Sequence, residues 1–324
     1  MSHADYNKPL FEVEDLCQYF PVGRRHQLKA VDHVSFTIYQ GETLGLVGES
    51  GCGKSTTGRC MVKLYTPTSG SVRFKGQNVF ALDREQEKSF HKQVQMIFQN
   101  PHSSLNPRQT VKDIVGYGMK LHGLCTDENM DDKVVEMLRK VGLSRDHISR
   151  FPHEFSGGQK QRIGIARALA VEPEFVVCDE PISALDVSIQ AQVLNMLKEL
   201  QEEMHLTYLF IAHDLSVVKY ISDRIIVMYL GTMVEFSTAE EIYEKPLHPY
   251  TQVLLSSIPI ADPKTARERE RIIVKGEVPS PIDPPDACRF AERCPYATET
   301  CKKSAPKLRE VTPGHFVACH AVKG

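Results

Sequence analysis

Nine consecutive residues constrain this chain more than any others: Gly48-Glu-Ser-Gly51-Cys-Gly53-Lys54-Ser55-Thr56. They follow a short apolar run, Thr43–Val47, and open a stretch of helical period from about Lys54 to Leu64. A strand that turns through glycines straight into a helix is a βα unit, and such units build a parallel sheet clothed in helices. The glycines let the backbone curl until its N–H groups converge, and the helix N-terminus adds partial positive charge at the same place. The result is a cradle for phosphate. On this pattern Gly48, Ser50, Gly51, Cys52, Gly53 and Thr56 line the cradle. Lys54 bridges the β- and γ-phosphates of a nucleoside triphosphate, and the Ser55 hydroxyl ligates Mg²⁺. A glycine-rich turn could match by chance, but the flanking strand and helix argue against that. The loop alone does not say what hydrolysis drives.

The rest of the chain fits the same architecture. Strand-like runs lie at Phe11–Val13, Val34–Ile38 and Thr43–Val47, with a turn at Gly41-Glu42. Ser71–Phe74 and Val94–Phe98 suggest a further strand pair. From Pro101 to Phe155 the pattern is helical, broken at Asn106-Pro107 and Phe151-Pro152. Helices are expected at about Gln159–Ala170 and Ser188–Met204, with buried strands at Phe175–Cys178 and Tyr208–Ala212. A last strand pair is Arg224–Tyr229 and Gly231–Glu235. The fold class is therefore α/β, with a mostly parallel sheet core and an inserted helical subdomain at about 100–170. Beyond 236 prolines become frequent, as in Val278-Pro279-Ser280-Pro281-Ile282-Asp283-Pro284-Pro285, and little helical pattern survives past Lys275. The expected division is 1–236 and a small irregular C-terminal domain, 237–324.

Phe175-Val-Val-Cys-Asp179-Glu180 reads as a buried strand ending in two acids. Asp179 at a strand end can hold Mg²⁺, and Glu180, one residue on, is off the metal and able to polarise an attacking water. Alone, the pair would be a solvated acidic turn. Beside the phosphate loop it is an expected catalytic pair. His213 follows the strand Tyr208–Ala212 and can sit at the same kind of edge.

Phe155-Ser156-Gly157-Gly158-Gln159 begins the helix that carries Arg162 and Arg167. This resembles the signature of ABC ATPases, in which Leu more often stands at the position of Phe155. The family's elements follow in family order. After the phosphate loop come Gln99, as the Q-loop glutamine and a Mg²⁺ ligand, and then Ser156-Gly157-Gly158-Gln159. The Asp179-Glu180 pair, the D-loop Ser183-Ala184-Leu185-Asp186 and the switch histidine His213 complete the set. The resemblance implies a P-loop NTPase cassette that binds ATP and Mg²⁺, with Glu180 and His213 as catalytic residues. Ser156, Gly157, Gly158, Gln159 and Asp186 would meet the nucleotide of an opposing subunit, the Ser-Gly-Gly turn acting as a second anion site at a helix start. Phe20 stands where the family stacks an aromatic on adenine, a contact worth roughly 1–3 kcal/mol. Tyr19 is the competing ring.

Gln99-Asn-Pro-His-Ser-Ser-Leu105-Asn106-Pro107-Arg108 is similar to the segment found in ATPases of the oligopeptide, dipeptide and nickel importers. Lys245-Pro-Leu-His248-Pro249-Tyr250-Thr251 is similar to the start of their C-terminal extension. The resemblance implies the ATPase of a peptide importer. Its partners would be a paralogous ABC ATPase or a second copy, two membrane-spanning permease subunits docking near Gln99–Arg108, and an extracytoplasmic peptide-binding protein. Its place would be the cytoplasmic face of the membrane, peripherally bound. An importer for nickel or another small solute is the alternative, as is a non-transport ABC ATPase. The latter usually carries long coiled insertions or a second cassette, and this chain has neither.

Composition excludes other classes. A net charge of −2 gives no bulk attraction to nucleic acid, and none is expected as a partner. Met1–Pro9 is polar and holds no apolar signal core, and no apolar run nears the ~18 residues that span a bilayer. Nine cysteines is an odd number, and five lie scattered in apolar or catalytic segments, which points to a reducing compartment. The other four, Cys288, Cys294, Cys301 and Cys319, have the spacing C-x5-C-x6-C-x17-C. They suit a [4Fe–4S] cluster or tetrahedral Zn²⁺, with four reduced thiols as the plain alternative. The spacing is not a pair of C-x2-C knuckles, and the resemblance implies iron–sulfur. His315 and His320 are candidate substitute ligands.

Overall fold

The computed structural model describes residues 4–258, 272, 274 and 276–322. Met1–His3 and Lys275 lie outside that set. The chain divides into two compact units: Met1–Lys8, Tyr39–Glu42 and Ala81–Phe210 form the first, and Pro9–Ile38, Thr43–Phe80 and Ile211–Gly324 the second.

The second unit holds the phosphate loop. Its strand β3 (Thr43–Val47) is buried at every position, the pattern of a strand covered on both faces. It runs parallel to β9 (Arg224–Tyr229), with Gly45 opposite Ile225. Next to β9 lies antiparallel β10 (Thr232–Thr238), then β12 (His315–Val317) and β11 (Arg309–Thr312). The expected boundary at 236 therefore falls inside β10, and β12 pairs with it: Glu235 faces Val317. A separate four-stranded sheet has the order β2 (His26–Gln40), β1 (Asp5–Val22), β4 (Ser69–Phe74), β5 (Gln77–Asn78). Phe11 lies opposite Phe74 in that sheet, their rings 5.0 Å apart. Helix α1 (Lys54–Met61) leaves the phosphate loop.

The longest segment of the first unit, Ala81–Phe210, holds α2 (Arg84–Gln93) and β6 (Val94–Ile97), parallel to β7 (Phe175–Asp179), with β8 (Thr207–Ala212) next to β7. Four helices follow β6: α3 (Pro101–Ser104), α4 (Val111–Leu121), α5 (Met130–Lys140) and α6 (Gly157–Leu169). Three of these starts are fixed by side chains, α3 by Asn100, α4 by Thr110 and α6 by Ser156. Thr110 and Asp113 cap α4 reciprocally, which satisfies backbone N–H groups that the first turn leaves open. Helix α7 (Val187–Met204) follows the acidic pair.

One sequence expectation is corrected. Ser71–Phe74 and Val94–Phe98 are not a strand pair. β4 pairs with β1, and β6 pairs with β7. The reason is burial. β4 is half exposed, as suits an antiparallel ribbon, whereas three of the four β6 residues are buried. The capped helix α2 stands between them in sequence, its start closed by Asp83 and Gln86.

Candidate nucleotide site

The phosphate loop is shaped by close backbone approaches. A Cβ on Gly48 would come 2.2 Å from the Met228 carbonyl oxygen, and one on Gly53 would come 2.1 Å from that of Ala30. Gly53 also has φ of 103°, a conformation that only glycine adopts without strain. It stands at the N-cap of α1, where no side chain caps the helix. The helix start thus presents the positive end of its dipole with no side chain over it. Lys54 is buried, and its ammonium donates to the carbonyls of Gly48 at 2.8 Å and Glu49 at 3.0 Å. Ser50 and Gly51 are exposed, while Ser55 and Thr56 are half-buried. Cys52 is buried, and burial pushes its thiol up.

The aromatic candidates are distinguished by their partners. Tyr19 donates its hydroxyl to Asp32, and the Lys29 ammonium lies over its ring. Phe20 is half-buried and meets Tyr65 edge-on, ring centres 5.5 Å apart. His213, also in this unit, is exposed just after β8, and the next residue, Asp214, caps a helix, α8 (Leu215–Ile221).

In the first unit, Asp179 ends β7 with no exposed surface. Glu180 follows in the left-handed region, φ 45°, an unusual state for a non-glycine residue. Its carboxylate accepts the Gln99 side-chain amide at 2.7 Å. The structure therefore brings together two of the expected residues that lie 81 positions apart in the chain. Ser183 turns back onto the Glu180 carbonyl, and Asp186, exposed, stands at the N-cap of α7. At the signature, Ser156 caps α6 by accepting the Gln159 N–H, and the Gln159 side chain accepts the Ser156 N–H in return. A Cβ on Gly157 would meet nothing within 4 Å, whereas one on Gly158 would come 2.9 Å from Ile189. Phe155, the departure from the usual leucine, is buried and edge-on to His147. It serves as the apolar anchor of the turn, which a leucine would also provide.

Residues 31–183 match the family model described as "ABC transporter", and residues 234–301 match "Oligopeptide/dipeptide transporter, C-terminal region". The chain is 54% identical, over 98% of both chains, to the oligopeptide transport ATP-binding protein AppF of Bacillus subtilis (strain 168). It is 54% identical to OppF of the same organism, another oligopeptide transport ATP-binding protein, over 96% of each. The chain belongs to the ABC transporter family. Among solved structures, a dimeric, post-hydrolysis state of the ATP-binding cassette MJ0796 bound to ADP and Pi superposes with a TM-score of 0.65. The identity is 27%, covering 71% of this chain and 99% of that one. Among the described residues, no helix is long and apolar enough to cross a membrane.

The C-terminal match of this ABC family member ends at the third cysteine of the quartet. Cys288 donates its backbone N–H to the Cys301 carbonyl at 2.9 Å, which closes the loop between them. Its thiol is pushed up to about 11, first by burial, with Cys301, Cys294 and Cys319 adding to the effect. Cys294 is likewise raised by burial and by Cys319 and Cys301. The N–H groups of Phe290 and Tyr296 point at the sulfurs of Cys288 and Cys294 and oppose the rise. Backbone donors aimed at sulfur favour the thiolate that a metal ligand must be. The two histidines have other partners: His315 is buried against Glu235 at 2.8 Å, and His320 reaches the Ser304 carbonyl. A tighter set, Cys17, Asp32 and His33, has its donor atoms within 4.8 Å of one another. Asp32 there already faces Tyr19 and the two cations Lys29 and Arg289, so its charge is compensated by side chains.

Proposed function

We propose that the chain is the ATP-hydrolysing subunit of an importer for di- and oligopeptides. The observation that carries this is similarity over almost the whole chain, including the C-terminal region, to proteins named for oligopeptide transport. In this reading Gly48, Ser50, Gly51, Cys52, Gly53 and Thr56 cradle the ATP phosphates, Lys54 neutralises them and Phe20 stacks on adenine. Tyr19 is set aside because its hydroxyl and ring are engaged. Ser55, Gln99 and Asp179 hold Mg²⁺. Glu180 polarises the attacking water and His213 faces the γ-phosphate. Ser156, Gly157, Gly158, Gln159 and Asp186 act on the nucleotide of a second ATPase chain, paralogous or identical. Two permease subunits hold the pair at the cytoplasmic face of the membrane, and a peptide-binding protein outside delivers the cargo.

Cys288, Cys294, Cys301 and Cys319 would hold a [4Fe–4S] cluster, which gives an irregular segment a covalent staple. Zinc is the smaller alternative. Around one zinc ion the sulfurs would sit roughly 4 Å apart, from Zn–S bonds of about 2.3 Å. Among the described residues, no three of these thiols lie within 4.8 Å of one another.

The deciding test is reconstitution in vesicles with the permeases and the binding protein. Peptide is expected to stimulate ATP hydrolysis and to accumulate, while the isolated chain hydrolyses ATP slowly. Stimulation by nickel and not by peptide would overturn the substrate. Anaerobically purified protein is expected to be brown and to carry iron and acid-labile sulfide in near-equal amounts. Colourless protein with stoichiometric zinc would replace the cluster by zinc.

A further inference from the structure

The second residue of the phosphate loop is held from outside the cassette match. Glu49 gives its backbone N–H to the Tyr250 hydroxyl at 2.8 Å. Its carboxylate takes both terminal nitrogens of Arg293, at 2.9 and 3.2 Å. A guanidinium on a carboxylate in this two-pronged fashion fixes orientation as well as distance. The pair is mostly sheltered, with side-chain exposures of 12% for Arg293 and 30% for Glu49. It is therefore less screened than an ordinary surface pair. Arg293 rests in turn on Tyr229, whose hydroxyl it also meets at 3.2 Å. Tyr229, Tyr250 and Phe290 form a buried ring cluster with centres 4.7 to 5.4 Å apart. On the far side of the loop, the Gly231 N–H holds the Cys52 carbonyl.

These holds fall on the part of the loop that no phosphate needs. The Glu49 carboxylate repels phosphate, and its N–H is already taken. Its carbonyl is one of the two that the Lys54 ammonium now occupies. Fixing Glu49 therefore fixes where Lys54 waits and how the following N–H groups converge. Holding a glycine-rich loop in its binding shape lowers the ordering cost of binding. Arg293 lies directly before Cys294 and inside the loop closed by Cys288 and Cys301, so its position depends on that loop being folded.

We propose that Arg293 is a positioning residue for the phosphate loop, acting through Glu49 and tying ATP affinity to the fold of the cysteine-bearing segment. This rests on the reading of Gly48–Thr56 as the ATP loop. The test measures ATP binding to the full chain by equilibrium dialysis, and KM and kcat in the reconstituted complex. Arg293→Ala is expected to weaken binding and raise KM roughly tenfold, with kcat at saturating ATP changed less than about twofold. Arg293→Lys, which keeps the charge and loses the fork, is expected to fall between the two. Glu49→Gln with Arg293→Ala is expected to cost no more than the worse single variant, since both remove one contact. Lys54→Ala runs alongside as the reference for the loop. Unchanged affinity in folded Arg293→Ala while Lys54→Ala loses binding would overturn the proposal alone. Additive losses in the double variant, or equal falls in kcat and affinity, would overturn it too, by showing general damage. Normal binding by Lys54→Ala would instead overturn the ATP reading beneath it.

Discussion

Two helices in this molecule begin on glycine-rich turns, and they begin differently. Helix α1 starts at Gly53 with no side-chain cap, and its loop is bent so tightly that a methyl group on Gly48 or Gly53 would strike backbone. Helix α6 starts at Ser156, which is capped in both directions by its own Gln159, and Gly157 faces open space. A start with no side-chain cap leaves its dipole end open to an anionic ligand. A capped start is already stable, and a glycine over open space becomes necessary only when something docks there. The first turn is therefore shaped to receive an anion. The second is a surface made ready for another molecule, which suits the proposed use of α6 on a neighbour's nucleotide.

In the proposed function both helix starts bind nucleotide, and the chemistry falls to Glu180. Glu180→Gln is the strongest test of that division. ATP binding is expected to persist while turnover falls by about 10²–10⁴-fold, measured as phosphate release, with an ATP-bound pair visible by sizing chromatography. Wild-type turnover would remove Glu180 from the chemistry. Lys54→Ala is next. It strikes the first helix start, and affinity for ATP in the isolated chain is expected to drop roughly 10–100-fold. Gly157→Ala strikes the second. The isolated chain is expected to fold and bind ATP as before, while hydrolysis in the reconstituted complex falls by about an order of magnitude. Equal hydrolysis with the added methyl group would show that nothing docks on Gly157. The smallest effect is expected from Ser156→Ala, which loses the cap. The first turn of α6 should be destabilised by about 1 kcal/mol, seen as faster amide hydrogen exchange there, with α1 unaffected.

Much of the nucleotide machinery was legible because each part is short and local. The phosphate loop, Asp179-Glu180 and Ser156-Gly157-Gly158-Gln159 each carry their geometry within a few residues. What was missed depended on distance or on weak periodicity. Helix α2 buries only Phe90 of its length, so no apolar stripe announced it. Its signal was the Asp83–Gln86 cap. β1 and β2 run far beyond Phe11–Val13 and Val34–Ile38, because their ends are partly exposed and lack an apolar core pattern. The hairpin of β11 and β12 was hidden in a segment whose prolines read as irregular. The pairing of Glu49 with Arg293 spans 244 positions and had no local mark at all.

Cys52 gives the phosphate loop a chemical clock. Its sulfur lies under the bend of the loop, almost fully buried, and its thiol is held above the ordinary range. Alkylating reagents attack the exposed thiolate, and this cysteine is neither exposed nor ionised while the loop keeps its shape. A maleimide can modify it only during the moments when the loop lets go. Its labelling rate thus counts openings, and any change that slackens the loop's outer holds would be read as a faster count with no nucleotide present.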